Sequence, residues 1–218
     1  TNSYWKLATG CREISTGCNQ CFARRTVEGV GTSFDVLLKT ARREWYWIYN
    51  LSLAKGMTEH RMQVSPHSDV FIEGFDPYRT EMWDIIREMR TLKPWLKFLI
   101  LTKRPHNVPS RLPPDWGNGG DNVWLGVSAE NQKWADTRIS SILKVPSKEY
   151  FVSACPLLEP VTLSKFLVTG KINFIMAGCE SGPMSRTTDL SWLESIRKEV
   201  EYFGGCFVLV QYWGPDGK

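Results

Sequence analysis

From residue 70 onward the chain alternates short apolar runs with stretches whose apolar residues recur every three or four positions. No other feature restricts the fold as much. Phe98-Leu-Ile-Leu101 contains no polar residue, as expected of a strand buried on both faces of a parallel sheet. Segments 123–127, 150–153, 172–177 and 206–210 read as strands in the same way, and Val70-Phe-Ile72 as a shorter one. Between them, 80–90 places Met82, Ile85, Ile86 and Met89 on one helical face, and 132–143 and 191–202 are further helices. The proline- and glycine-rich stretch 109–120 is a loop. Strands separated by helices are joined by right-handed crossovers, so the expectation is an α/β fold: an open or partial (β/α) barrel of mainly parallel strands.

The amino-terminal third is less regular. Residues 4–8 suit a first strand, and a helix begins at Phe22. Between 34 and 53 the three-and-four spacing of Val36, Leu37, Ala41, Trp45, Ile48 and Tyr49 predicts an amphipathic helix, while 55–66 reads as a polar connection. The rings of Trp45, Tyr46, Trp47 and Tyr49 fit core or partner packing better than base stacking. At 218 residues the chain has the size of one domain, and no apolar run nears the roughly 20 residues that cross a bilayer. A chain this rich in core residues needs no disulfide staples, so its six cysteines point to a reducing compartment, cytoplasm or organelle matrix. The net charge of +4 permits contact with nucleic acid without requiring it. Thr1 is not an initiator, so a targeting segment is neither indicated nor excluded.

Three of the six thiols, Cys11, Cys18 and Cys21, fall in the stretch Thr9-Gly-Cys-Arg-Glu-Ile-Ser-Thr-Gly-Cys-Asn-Gln-Cys-Phe-Ala23. Cys18 and Cys21 share one turn, and Cys11 returns across a six-residue arch. Structural zinc takes four ligands, and His60, His67 and His106 lack a finger-like spacing to the thiols. A four-iron four-sulfur cluster on three thiolates leaves one iron open to chemistry. The alternatives are a zinc knuckle completed by a distant histidine, from which a zinc-stabilised nucleic-acid binder would follow, and three unrelated buried thiols.

Thr9 to Ala23 and the blocks Leu101-Thr-Lys-Arg-Pro105, Trp124-Leu-Gly-Val-Ser-Ala-Glu130, Phe151-Val-Ser-Ala-Cys-Pro-Leu-Leu-Glu-Pro160, Ala177-Gly-Cys-Glu-Ser-Gly-Pro183 and Gln211-Tyr-Trp-Gly214 together resemble a radical-SAM-like family. Such proteins are common in phages and bacteria and mostly of unknown function; residues 24–68 match poorly. The resemblance implies a partial barrel of radical SAM type, a 4Fe-4S cluster on Cys11, Cys18 and Cys21, and S-adenosylmethionine on the open iron. Reduction of the sulfonium would release a 5′-deoxyadenosyl radical, acting on a nucleic-acid base, a nucleotide or another substrate.

In a parallel α/β fold ligands gather at the carboxyl ends of strands. Those ends carry Glu73, Gly74 and Asp76, then Thr102 to Arg104, Ser128 with Glu130 and Asn131, Ser153 with Cys155, Gly178 to Ser181, and Gln211 with Trp213. By position, Lys103 or Arg104 would neutralise the cofactor carboxylate, and Ser128 or Glu130 would accept from its ribose hydroxyls. The chain departs from the family in its six-and-two cysteine spacing, shared within that group but unlike the commoner three-and-two. It also has Cys155 in place of an acidic residue, Cys179 in place of glycine, and Glu73-Gly-Phe-Asp76 where a serine and aspartate block stands after strand two. The two thiols 155 and 179 would face each other as ligands, as a reactive thiolate or as packing, and Cys206 is structural. A rival reading is a non-catalytic, cluster-bearing component of a larger ribonucleoprotein assembly.

Overall fold

The computed structural model describes residues 3–212. In chain order the elements are β1 (Ser3–Trp5), β2 (Ala8–Thr9), α1 (Phe22–Glu28), β3 (Leu38–Lys39), α2 (Arg42–Tyr46), β4 (His60–Val64), α3 (Asp76–Leu92), β5 (Leu96–Thr102), β6 (Val123–Ser128), α4 (Gln132–Ile142), β7 (Glu149–Ala154), α5 (Ser164–Leu167), β8 (Ile172–Gly178), α6 (Leu190–Tyr202) and β9 (Cys206–Gln211). Seven strands form one sheet in the order β1-β4-β5-β6-β7-β8-β9, parallel throughout, while β2 and β3 make a separate antiparallel pair. The order never reverses, so right-handed crossovers carry the intervening helices to one face. The opposite face must then be covered by the sheet itself, which curls into a half-barrel.

Alternation along the strands separates two cores. Phe98, Ile100, Leu125, Val127, Val152 and Ile175 join the large helix-side core, together with Met82, Ile86, Met89, Ile139 and Ile196 from the helices. Leu99, Trp124, Phe151, Phe174 and Met176 form a smaller cluster on the concave side. Each such side chain contributes about 1.5–3 kcal/mol by leaving water. Gly126 makes room for this second cluster, since a Cβ there would lie 2.3 Å from the Phe151 ring. Arg61 lays its guanidinium 4.6 Å from the Trp124 ring centroid and 5.1 Å from that of Phe174. The interior is thus filled towards the strands' amino ends and hollow towards their carboxyl ends.

Two expectations for the amino-terminal third are corrected. The second sheet strand is His60–Val64, inside the segment read as a connection, and 70–72 is a turn leading through a short 3-10 helix into α3. Met62 and Val64 are buried while His60, Arg61 and Gln63 are polar, a half-polar pattern that suits a strand whose inner face lines a cavity. The predicted 34–53 helix is divided into β3, the five-residue α2 and a 3-10 turn, Trp47–Asn50. Packing explains the division: Trp45 is buried against Trp5 and Phe75, and its indole donates to the Leu7 carbonyl at 2.9 Å. Among the described residues no helix is long and apolar enough to cross a membrane.

Candidate metal and cofactor site

The cysteine loop leaves β1 at the carboxyl-end rim of the barrel. The β2–β3 pair pins its start, where Gly10 N donates to His67 O at 3.2 Å and Cys11 N to Phe34 O at 2.8 Å. Gly10 has φ +104°, and a Cβ there would lie 2.2 Å from the Val36 carbonyl oxygen, so glycine alone fits. A 3-10 turn, Thr16–Cys18, then closes with Cys18 N on Ser15 O at 2.9 Å, and Cys21 N reaches Cys18 O at 3.1 Å before α1 begins. Cys11, Cys18 and Cys21 consequently line one cavity of about 770 Å³, and none is disulfide-bonded. They are ringed by Gly17, Asp69, Thr102, Lys103 and Arg104.

Asp69 organises one wall. Its carboxylate accepts from Thr102 Oγ1 at 2.9 Å on each oxygen, from Phe71 N at 3.0 Å and from Lys103 N at 3.2 Å. It also pairs with Arg104 Nη1 at 3.2 Å, and both side chains are more than nine-tenths buried. That same Nη1 donates to Cys11 Sγ at 3.7 Å, while Nη2 donates to the Arg12 carbonyl. Burial, aided by the Asp69 charge, pushes the Cys11 thiol up, and the Arg104 charge opposes this. Arg104 therefore orients a thiol and its loop, and its guanidinium is already occupied.

Glu130 has a different position from the one its strand suggested. It is fully buried beneath the cysteine turn and does not line the cavity. Arg138 Nη1 donates to it at 2.6 Å, and Ser15 Oγ donates to its other oxygen. Burial opposes ionisation, but the Arg138 charge and the Ser15 hydrogen bond outweigh it and hold the carboxyl below its usual range. A Cβ on Gly17 would approach this carboxylate to 2.9 Å, so the turn rests directly on it. Glu130 acts on the thiols through their loop rather than on a ribose.

Lys103 and Ser128 do line the cavity. Ser65 and Ser68, which no sequence signal singled out, line it too, and among the described residues their buried hydroxyls have no hydrogen-bond partner. Ser65 also holds φ +48°, a strained value for a residue other than glycine. Both hydroxyls border the cavity, so they are free to serve a polar group that enters it. Ser65, Ser68 and Asp69 follow β4, which supplies the serine and aspartate block that Glu73-Gly-Phe-Asp76 had seemed to replace. Glu73 is exposed, and Asp76 pairs with Arg79 and Arg111 at the head of α3.

A family model described as a protein of unknown function, DUF5131, matches residues 1–217. The chain belongs to the DUF5131 family. No curated protein matches this DUF5131 sequence. Its fold is similar to the solved structure of a point mutant of spore photoproduct lyase, with a TM-score of 0.56 and 13% identity over 94% of this chain and 75% of that one. The likeness is one of fold, the α/β half-barrel with its parallel sheet.

Across the DUF5131 cavity, Cys155 and Cys179 stand at the ends of β7 and β8. Cys155 Sγ lies 3.7 Å from the Cys179 carbonyl, and burial together with the neighbouring Cys179 pushes its pKa up to about 11. Gln211 Nε2 donates to that carbonyl at 2.7 Å. Trp213 and Gly214 lie outside the described residues. Cys206 is exposed at the opposite rim. Among the described residues no three His, Cys, Asp or Glu side chains are close enough to hold a single metal ion. Three thiols lining one cavity are the donor type that iron–sulfur clusters take, so the chemistry of the set fits such a group.

Proposed function

We propose that the protein is a radical SAM enzyme that holds a 4Fe-4S cluster on Cys11, Cys18 and Cys21 with S-adenosylmethionine beside it. One observation carries the reading: three thiols and two unsatisfied buried hydroxyls, Ser65 and Ser68, line a single cavity at the carboxyl mouth of a half-barrel. Three thiols and no fourth ligand at a finger-like spacing in the sequence favour a cluster over structural zinc, which takes four ligands. When bound, the cluster and cofactor supply one-electron reductive cleavage of a sulfonium carbon–sulfur bond.

The chain's own residues hold and shield that pair. Gly10 and Gly17 let the loop turn tightly, Glu130 and Arg138 support it from below, and Arg104 fixes Cys11. Lys103 offers a cation to the cofactor carboxylate, and Ser65 and Ser68 offer hydroxyls to its polar end. Ser128 and Ser153, two hydroxyls on the inner wall, are placed for a ribose. The test is anaerobic reconstitution, iron and sulfide analysis, then incubation with dithionite and S-adenosylmethionine. The reading expects about four irons per chain and 5′-deoxyadenosine on chromatography. A cluster without cleavage would instead assign the protein to the non-catalytic role, and stoichiometric zinc would overturn both.

A further inference from the structure

We propose that the mouth of the half-barrel binds a single-stranded nucleic acid, its backbone running along the β1 side and one base entering the cavity. The binding stands on the surface alone; only the role of that base as substrate rests on the function proposed above. The carboxylates in the cavity wall are Glu13, Asp69 and Glu180. Each already faces an arginine: Arg24 at 3.5 Å, Arg104 at 3.2 Å and Arg186 at 2.5 Å. Lys6, Arg12 and Lys103 line the same cavity, and among the described residues none has an ion-pair partner. With Lys103 turned to the cofactor carboxylate, Lys6 and Arg12 remain at the mouth as positive charges with no ion-pair partner among the described residues, which suits a polyanion.

Exposed rings lie among those charges. Tyr4 is 53% exposed and Phe22 48%, and both border the cavity. Tyr4 on β1 and Lys6 just past its end flank buried Trp5, and both line the cavity, about 6.6 Å apart at an extended rise. Phe22 stands beside His67, with ring centroids 5.8 Å apart. Cations beside solvent-facing rings are the arrangement that tracks a phosphate backbone while stacking bases, because every base offers a flat face. An acidic polypeptide would satisfy the charges but leave the rings bare. A duplex keeps its bases stacked inside and would first have to extrude one.

The test uses the full chain and a fluorescein-labelled 12-nucleotide single-stranded DNA of mixed sequence, read by anisotropy across a salt series. Affinity should fall linearly on a log–log plot, and Lys6→Gln and Arg12→Gln should each lower the slope by about one. Tyr4→Ala and Phe22→Ala, both exposed and so harmless to folding, should each weaken binding at least about fivefold at fixed salt. Lys148→Gln, at the opposite rim, should change neither beyond error. Equal losses from Lys148→Gln, insensitivity to both ring substitutions, or displacement of the oligonucleotide by equimolar polyglutamate would overturn the proposal. Binding without 5′-deoxyadenosine formation would sink the enzymatic reading and leave this one standing; cleavage without binding would do the reverse.

Discussion

Two groups of cysteines face the same cavity from opposite sides, and their settings differ in the ways that separate a ligand from a wall. Cys11, Cys18 and Cys21 ride on a loop whose turns depend on Gly10 and Gly17, and polar groups stand beside two of them: Arg104 donates to Cys11, and the Ser15 hydroxyl, whose proton goes to Glu130, lies 4.0 Å from the Cys18 sulfur. Cys155 and Cys179 sit where packed strands end, with a carbonyl oxygen as the nearest polar neighbour of the Cys155 sulfur. Burial pushes both Cys11 and Cys155 up, but at Cys11 the Arg104 guanidinium donates to the sulfur and opposes that shift, whereas at Cys155 the neighbouring Cys179 adds to it. The lesson is that thiol chemistry in this barrel is set by the polar surroundings of each sulfur and not by its exposure. All but Cys179 of these five are half-buried.

The strongest challenge to that contrast is to remove one thiol from each side. Cys18→Ala should abolish the visible absorption of the reconstituted protein and leave almost no bound iron, while Cys155→Ala should retain iron at the wild-type level. Equal iron loss in both variants would erase the distinction.

Next in size is the support beneath the trio. Glu130→Gln leaves Arg138 as an uncompensated buried charge, and thermal or denaturant unfolding should report a loss of about 3–5 kcal/mol. Glu130 has a lowered pKa in the folded chain, so its contribution is complete above the usual carboxylate range and disappears as pH falls through the folded value. The Gln variant should accordingly show a flatter decline in stability below about pH 4.5. A smaller effect is expected for Gly17→Ala, whose methyl would press on the same carboxylate at 2.9 Å: about 1–3 kcal/mol of stability and partial iron loss.

Alkylation of the metal-free protein sharpens the comparison kinetically. Cys155, with its pKa near 11, should react with iodoacetamide about tenfold faster for each unit of rising pH up to that value, and at pH 8 should lag behind free glutathione in the same solution by mass spectrometry. Comparable rates at pH 8 would contradict its burial. The least of these effects concerns Arg104→Lys, which keeps the charge but loses the planar fork that spans Asp69, Cys11 and the Arg12 carbonyl. Weaker donation to the sulfur should shift the cluster midpoint potential to more negative values in an EPR-monitored titration, with iron content nearly unchanged.

The carboxy-terminal two-thirds of the fold was legible because its strands are buried on both faces and its helices have one apolar side. The expected and observed strands from Phe98 onward differ by one or two residues at their ends. β4 escaped notice because its inner face lines a polar cavity, which breaks the apolar run that identifies its neighbours. Placing the strand at 70–72 moved the rim from Ser65–Asp69 to Glu73–Asp76, and with it went two serines and the aspartate that anchors Arg104. Arg138 was invisible for another reason. It lies on α4 among residues that read as an ordinary helix, and only the packing of α4 under β6 brings it to Glu130.

Local order in the chain was enough to determine the alternating α/β architecture and the crowding of three thiols into one loop, since both depend on spacing between near neighbours. Which acids and bases meet was settled only by folding: Asp69 with Arg104, Glu130 with Ser15 and Arg138, Lys103 with the cavity. These pairings join residues up to 115 positions apart, and a charge's role depends on the partner that burial assigns to it.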